Sequence, residues 1–213
     1  MAFANSLSMS IREGIMSSFK SVYYFGKLRR RREFLKAGGL GQDRYYDWEV
    51  WFNKCSNANT LLPFLSNKSK AKPVWLFVIV DEGIIKVGFT TLSLDMADRK
   101  YPFLLYFENN IENLNSSNEL MNEILAVANK YEGFIKIVTN GDFLDDDKGY
   151  FESFDNTHTA VEQLQELSKN IVSDILEMDN YSVMSSYWIN LDNFSSINHT
   201  GALTCTLHNK IYG

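Results

Sequence analysis

The chain has 213 residues, 45 % of them apolar and 14 % aromatic, with a formal net charge of −5. Such a composition supports a sizeable core in one large domain and excludes a disordered chain. The negative balance argues against non-specific nucleic-acid binding, which needs a basic footprint. The two cysteines, Cys55 and Cys205, lie far apart in sequence. They read as neither metal ligands nor a disulfide framework, so a reduced, cytoplasmic compartment is the simplest expectation. No run reaches the length of a transmembrane helix.

Met1 to Ser18 is Ser-rich and lacks a basic segment followed by a long apolar one, so it reads as an N-terminal arm rather than a secretory signal. A single domain is expected over 19–213. Ser21 to Phe25 has the aromatic and β-branched residues of a strand, closed by Gly26. The basic segment Lys27-Leu-Arg-Arg-Arg-Arg-Glu-Phe34 follows. From Asp43 to Cys55, Tyr45, Trp48, Trp51 and Phe52 fall on one helical face. Asn57 to Lys72 is polar, contains Pro63, and reads as a loop.

Val74 to Asp81 and Ile84 to Thr90 flank Glu82-Gly83, a hairpin signal. A polar bridge, Ser93 to Arg99, leads to a third strand from Tyr101 to Phe107. Three strands with short links favour an antiparallel sheet. Ser116-Ser-Asn-Glu119 is a capping box. The stripe Leu120, Ile124, Val127, Tyr131, Phe134 and Val138 then predicts one long helix from Ser117 to Thr139, running through Gly133 and ending at Asn140-Gly141. Asp142 to Asp155 is an acidic loop. A second capping box at Thr159 opens a helix from Ala160 to Met178, with Val161, Leu164, Leu167, Ile171, Ile175 and Met178 on its apolar stripe. Tyr181 to Leu191 reads as a fourth long strand. The tail from Thr200 to Tyr212 fits a strand or a short helix, and both readings stay open. No internal repeat is present.

These elements predict an α+β fold: a central, mostly antiparallel sheet of about five strands with long helices on both faces. A longin-like or profilin-like arrangement follows by analogy. Trp48, Trp51, Trp75 and Trp188 are expected as packing residues.

Two segments could carry function. The run Arg29 to Arg32 is either a solvated loop paired with acidic groups or a docking element for an acidic or phosphorylated partner, which guanidinium groups match bidentately. In the bridge, Asp95 and Arg99 are four apart and suit a salt bridge across one turn. Self-pairing there is a stronger expectation than catalysis, since no histidine is near Ser93 in sequence. Other chemistries fail on spacing. An EF-hand reading of the acidic loop would need other residues at Gly149, Tyr150 and Asn156. His158, His199 and His208 have no metal-ligand spacing, and Gly38-Gly-Leu-Gly41 lacks the Lys-Ser/Thr of a phosphate loop. Neither a metal nor another cofactor is expected. Cys205 with His208 lacks an orienting carboxylate.

The ordered motifs resemble the TagF family of type VI secretion-associated proteins. That family has an aromatic-Gly-Lys-Leu-Pro strand end, met here by Phe25-Gly26-Lys27-Leu28, with Arg29 in place of the proline. Its Gly-Asp-Phe is met by Arg32-Glu33-Phe34, and its tryptophan-bearing helix by Trp48 and Trp51. Pro73-Val-Trp75-Leu-Phe77 matches its Pro-x-Trp-x-Phe strand. Ser93, Asp95, Arg99, Tyr101 and Pro102 match its Ser-x-Asp-x-x-x-Arg stretch and the aromatic-Pro that follows, with Leu92 where a proline stands before the serine. Ser186-Tyr187-Trp188 meets a late Ser-x-Trp. The match runs from Tyr23 to Phe107 and is thin from Glu108 onward.

The resemblance implies a cytoplasmic, post-translational repressor of the type VI secretion system that is not an enzyme. It implies sequestration of the system's forkhead-associated scaffold protein as the mechanism. The expected partner-binding residues are Lys27, Arg29, Arg32 and Phe34 in the loop after Gly26, and Ser93, Asp95, Arg99 and Tyr101 around the bridge. Two other readings remain open: an accessory or chaperone-like subunit of the same apparatus, and a hydrolase using Ser93 or Cys205. The oligomeric state is not legible.

Overall fold

Alternate residues of the strand Trp75–Asp81 belong to different cores: Leu76, Val78 and Val80 to one, Trp75, Phe77 and Ile79 to the other. That division, set by the two-residue period of a strand, runs across the whole sheet. The structure, a computed structural model, describes residues 22–31, 33–36, 42–56, 72–95, 100–114, 116–143 and 161–213. In chain order the strands are β1 (Val22–Gly26), β2 (Leu35–Lys36), β3 (Trp75–Asp81), β4 (Ile84–Leu94), β5 (Lys100–Asn110), β6 (Ser185–Asn190) and β7 (Ser196–Thr200). Among the described residues the α-helices are α1 (Gln42–Ser56), α2 (Ser117–Ala128), α3 (Tyr131–Asn140), α4 (Val161–Leu176) and α5 (Cys205–Tyr212).

One seven-stranded sheet results, in the order β2-β1-β5-β4-β3-β6-β7, with every pairing antiparallel. The expected β3–β4 hairpin forms, and its central residues Glu82 (φ 48°) and Gly83 (φ 77°) both have positive φ, which matches the twist of the flanking strands. On one face lie Val87, Phe89, Leu105 and Tyr187, packed with apolar residues of α2, α3 and α4. On the other, Phe77, Leu104, Tyr106 and Trp188 meet Trp48, Trp51 and Phe52 of α1 and Leu207, Ile211 and Tyr212 of α5. Helices thus cover both faces, and all four tryptophans are buried.

Four expectations need correction. The sheet has seven strands rather than five, because its two edges are poor in signal: β2 has two residues, and β7 reads Ser-Ile-Asn-His-Thr. Short or polar edges also discourage pairing with another chain. The fourth long strand is confined to Ser185–Asn190, and the tail forms α5, capped by Thr204, whose Oγ1 accepts from the Leu207 amide at 3.2 Å.

The long helix is two. Ser116 caps α2 as expected, with its hydroxyl accepting from the Glu119 amide. At the far end the Lys130 amide bonds to the Val127 carbonyl, three residues back, and the chain restarts as α3 from Lys130. Gly133 is buried inside α3, which ends as expected at Gly141 in the left-handed region. Finally, Cys55 and Cys205 form a disulfide joining α1 to α5, across a separation of 150 residues. Sequence distance is no guide to spatial distance between elements packed on one sheet face. The arm 1–18, the loop 57–71, the acidic segment 144–155 and the capping box at Thr159 lie outside the described residues.

Candidate functional site

The site forms where β1 leaves the sheet. Gly26 pairs with Phe103 and has φ 132°; a Cβ there would lie 2.3 Å from the Pro102 carbonyl oxygen, so only glycine fits this exit. Leu28, two residues on, is fully buried with the α2–α4 core. The intervening Lys27 points to the other side. Its ammonium lies 4.6 Å from the centre of the Tyr101 ring and 4.8 Å from that of Phe34, and 3.9 Å from Asp95 Oδ2. Phe34 and Tyr101 meet edge to face, and Phe34 stacks on Phe25, which stacks in turn on Phe52 of α1. The charged pair is buried, with Lys27 and Asp95 9 % and 3 % exposed, while Phe34 and Tyr101 are half-buried. Cation–π contacts are each worth about 0.5–2 kcal/mol, toward the upper end when desolvated.

Lys27, Phe34, Asp95 and Tyr101, read from separate motifs, therefore meet in one place. Ser93 pairs with Tyr101 across β4 and β5, is buried, and donates from Oγ to the Leu94 carbonyl at 3.4 Å. Arg29 is exposed on the turn after Leu28. Arg32 and Arg99 lie outside the described residues, and so does any Asp95–Arg99 pairing. The cation facing Asp95 in the described structure is Lys27, a partner that sequence spacing does not reveal.

Around this buried cluster the surface is basic. Arg30 is exposed, and its amide bonds to the Gly141 carbonyl at 2.7 Å, which ties the turn to the end of α3. The Arg31 guanidinium donates to the Asp142 carboxylate. At the same end of the sheet, Lys72 lies beside the exposed Lys100; burial first, and then that neighbouring charge, lowers the Lys72 pKa. Leu94, paired with Lys100, presents a large apolar side chain to solvent.

The residues considered for hydrolysis are spent otherwise. Cys205 is bonded to Cys55, and the Ser93 hydroxyl is turned to the backbone. His199 Nε2 bonds to the Ala202 carbonyl oxygen at 2.8 Å. His208 is buried, with no hydrogen-bond partner on either ring nitrogen, and is packed between the rings of Trp51, Phe52 and Tyr212. Burial pushes its pKa down, and the adjacent Asn209 side chain pulls it weakly the other way. Among the described residues, no helix is long and apolar enough to cross a membrane, and no three of His, Cys, Asp and Glu gather as metal ligands would.

No family model matches the chain, and a comparison with curated proteins finds no match. Among solved structures, the crystal structure of PA0076 from Pseudomonas aeruginosa PAO1 superposes with a TM-score of 0.59 over 91 % of this chain and 94 % of that one. This chain shares its fold with PA0076. The sequences are 15 % identical, so the likeness concerns the fold alone.

Proposed function

We propose that this protein is a TagF-like post-translational repressor of a type VI secretion system, and that it works in the cytoplasm by binding and sequestering the system's forkhead-associated scaffold protein. PA0076 is a TagF protein, and the fold likeness spans nearly the whole of both chains. The observation that carries the reading is the convergence of the motif residues Lys27, Phe34, Asp95 and Tyr101 on one sheet end. In this reading the buried cluster holds the loop and the bridge in place, and the exposed Arg29 and Arg30 make the contact. Occupying a scaffold surface lowers the free pool available for assembly, and no bond need be made or broken.

The test is a pull-down of the purified forkhead-associated protein with the full chain. The wild-type protein is expected to capture it, and Arg29→Glu with Arg30→Glu to lose at least ten-fold in affinity with unchanged circular dichroism. Capture by neither protein would overturn the function. Equal capture by both would overturn the assigned surface.

A further inference from the structure

We propose that the Cys55–Cys205 disulfide is a thiol-sensitive latch: its reduction frees α5 from α1 and uncovers the aromatic side of the sheet, and oxidation closes it again. This inference is independent of the secretion reading.

The latch sits on a small moving part. α5 has eight residues, too few to persist as a helix without tertiary support. Its buried side chains Leu207, His208, Ile211 and Tyr212 lie against Trp51, Phe52 and the sheet. Two indoles mark its ends: Trp51 Nε1 donates to the Thr204 carbonyl at 2.9 Å, and Trp75 Nε1 to the Ile211 carbonyl at 3.0 Å. Tyr212 shares a 2.6 Å hydrogen bond with Thr90. Apart from the backbone that leads in from β7, the disulfide is the covalent tie from this segment back to the rest of the fold.

The two sulfurs are unequal. Cys55 is 1 % exposed, in the last turn of α1, whereas Cys205 is half-buried in the first turn of α5. A dithiol reductant reaches Cys205 first. Its thiolate attacks Cys205 Sγ, the S–S bond breaks, and Cys55 leaves as a thiolate that takes a proton. The second thiol of the reductant then attacks the mixed disulfide, displaces Cys205 as a thiolate, and leaves the reductant as a disulfide. Access alone directs the first attack. Once the bond is reduced, the helix N-terminus favours the Cys205 thiolate, and the α1 C-terminus and apolar burial disfavour that of Cys55, so Cys205 is the more reactive thiol.

Amide hydrogen exchange of the full chain, with and without dithiothreitol, tests the latch. In the reduced protein, α5 amides are expected to exchange at least ten-fold faster at times when β3 amides remain protected, and to regain protection on reoxidation. Cys55→Ser with Cys205→Ser should show the reduced pattern and ignore dithiothreitol. In the reduced wild type, iodoacetamide should label Cys205 at least ten-fold faster than Cys55. If α5 stays as protected as β3, or β3 loses protection together with α5, the disulfide is a static staple and the proposal fails.

Discussion

The two faces of the sheet are built from different materials. Toward α2, α3 and α4 the core is mainly Val, Leu, Ile and Phe, with ring contacts such as Phe134 on Phe89 and Phe103. Toward α1 and α5 the core is mostly Trp, Tyr and Phe. There the indole N–H groups of Trp51, Trp75 and Trp188 all find acceptors, and a disulfide closes the layer. Apolar burial is non-directional, whereas an indole donor must meet its acceptor at a set distance and angle. One face is therefore held mainly by area, and the other by area plus fixed anchor points that determine where a short terminal helix rests.

The largest effects should come from truncations on the two faces. Phe134→Ala and Trp51→Ala are each expected to cost about 3–5 kcal/mol in urea unfolding, the range for deleting a buried aromatic side chain. Combination with reduction tells the faces apart. Phe134 lies across the sheet from the disulfide, so its cost should add to that of reduction within about 0.5 kcal/mol. Trp51 touches α5 directly, so its cost should depart from additivity by about 0.5–3 kcal/mol. Equal additivity for both would mean that the anchor points are no more coupled to the disulfide than the opposite core is.

How much of this was legible follows the same division. The β3–β4 hairpin, the Ser116 cap and the Trp48–Trp51 helix were readable because each signal is local and periodic. The break between α2 and α3 was hidden because the apolar stripe continues through Lys130: the buried positions Val127 and Phe134 keep a seven-residue spacing across the restart. β7 was missed because Ile197 is its one large apolar residue, on an edge strand with little to bury. The disulfide, the Thr90–Tyr212 bond and the Lys27–Asp95 pair join residues distant in sequence, and no periodicity reports them. In the candidate site the participants Lys27, Phe34, Asp95 and Tyr101 were readable from motifs. That a lysine faces both rings and the carboxylate was not.

Lys27 also tests the boundary between the faces, since it places a charge at the edge of the aromatic layer. Lys27→Met keeps the stem's packing but removes the cation from Phe34, Tyr101 and Asp95. The expected loss is about 1–3 kcal/mol, typical of a buried polar group deprived of its partner. In a cycle with Asp95→Asn, the second substitution should cost less in the Lys27→Met background than in the wild type. Equal costs in the two backgrounds would show that the 3.9 Å pair is not coupled.

The smallest and most selective effect is on pH dependence, and it belongs to the aromatic face alone. His208 sits neutral among Trp51, Phe52 and Tyr212, and burial lowers its pKa from the ordinary 6.5. Below about pH 6.5 the unfolded chain gains a proton that the folded chain refuses. The unfolded state then binds more protons, so unfolding free energy falls as pH drops from 6.5 toward the lower folded value, and levels off beneath it. One such group contributes a slope of at most about 1.4 kcal/mol per pH unit. Urea unfolding at pH 7.5 and pH 5.5 should show this loss in the wild type, and His208→Gln, which cannot titrate, should shrink it. An unchanged pH dependence in that variant would mean that the folded imidazole takes up its proton over the same pH range as in the unfolded chain, and that the aromatic layer does not hold it neutral.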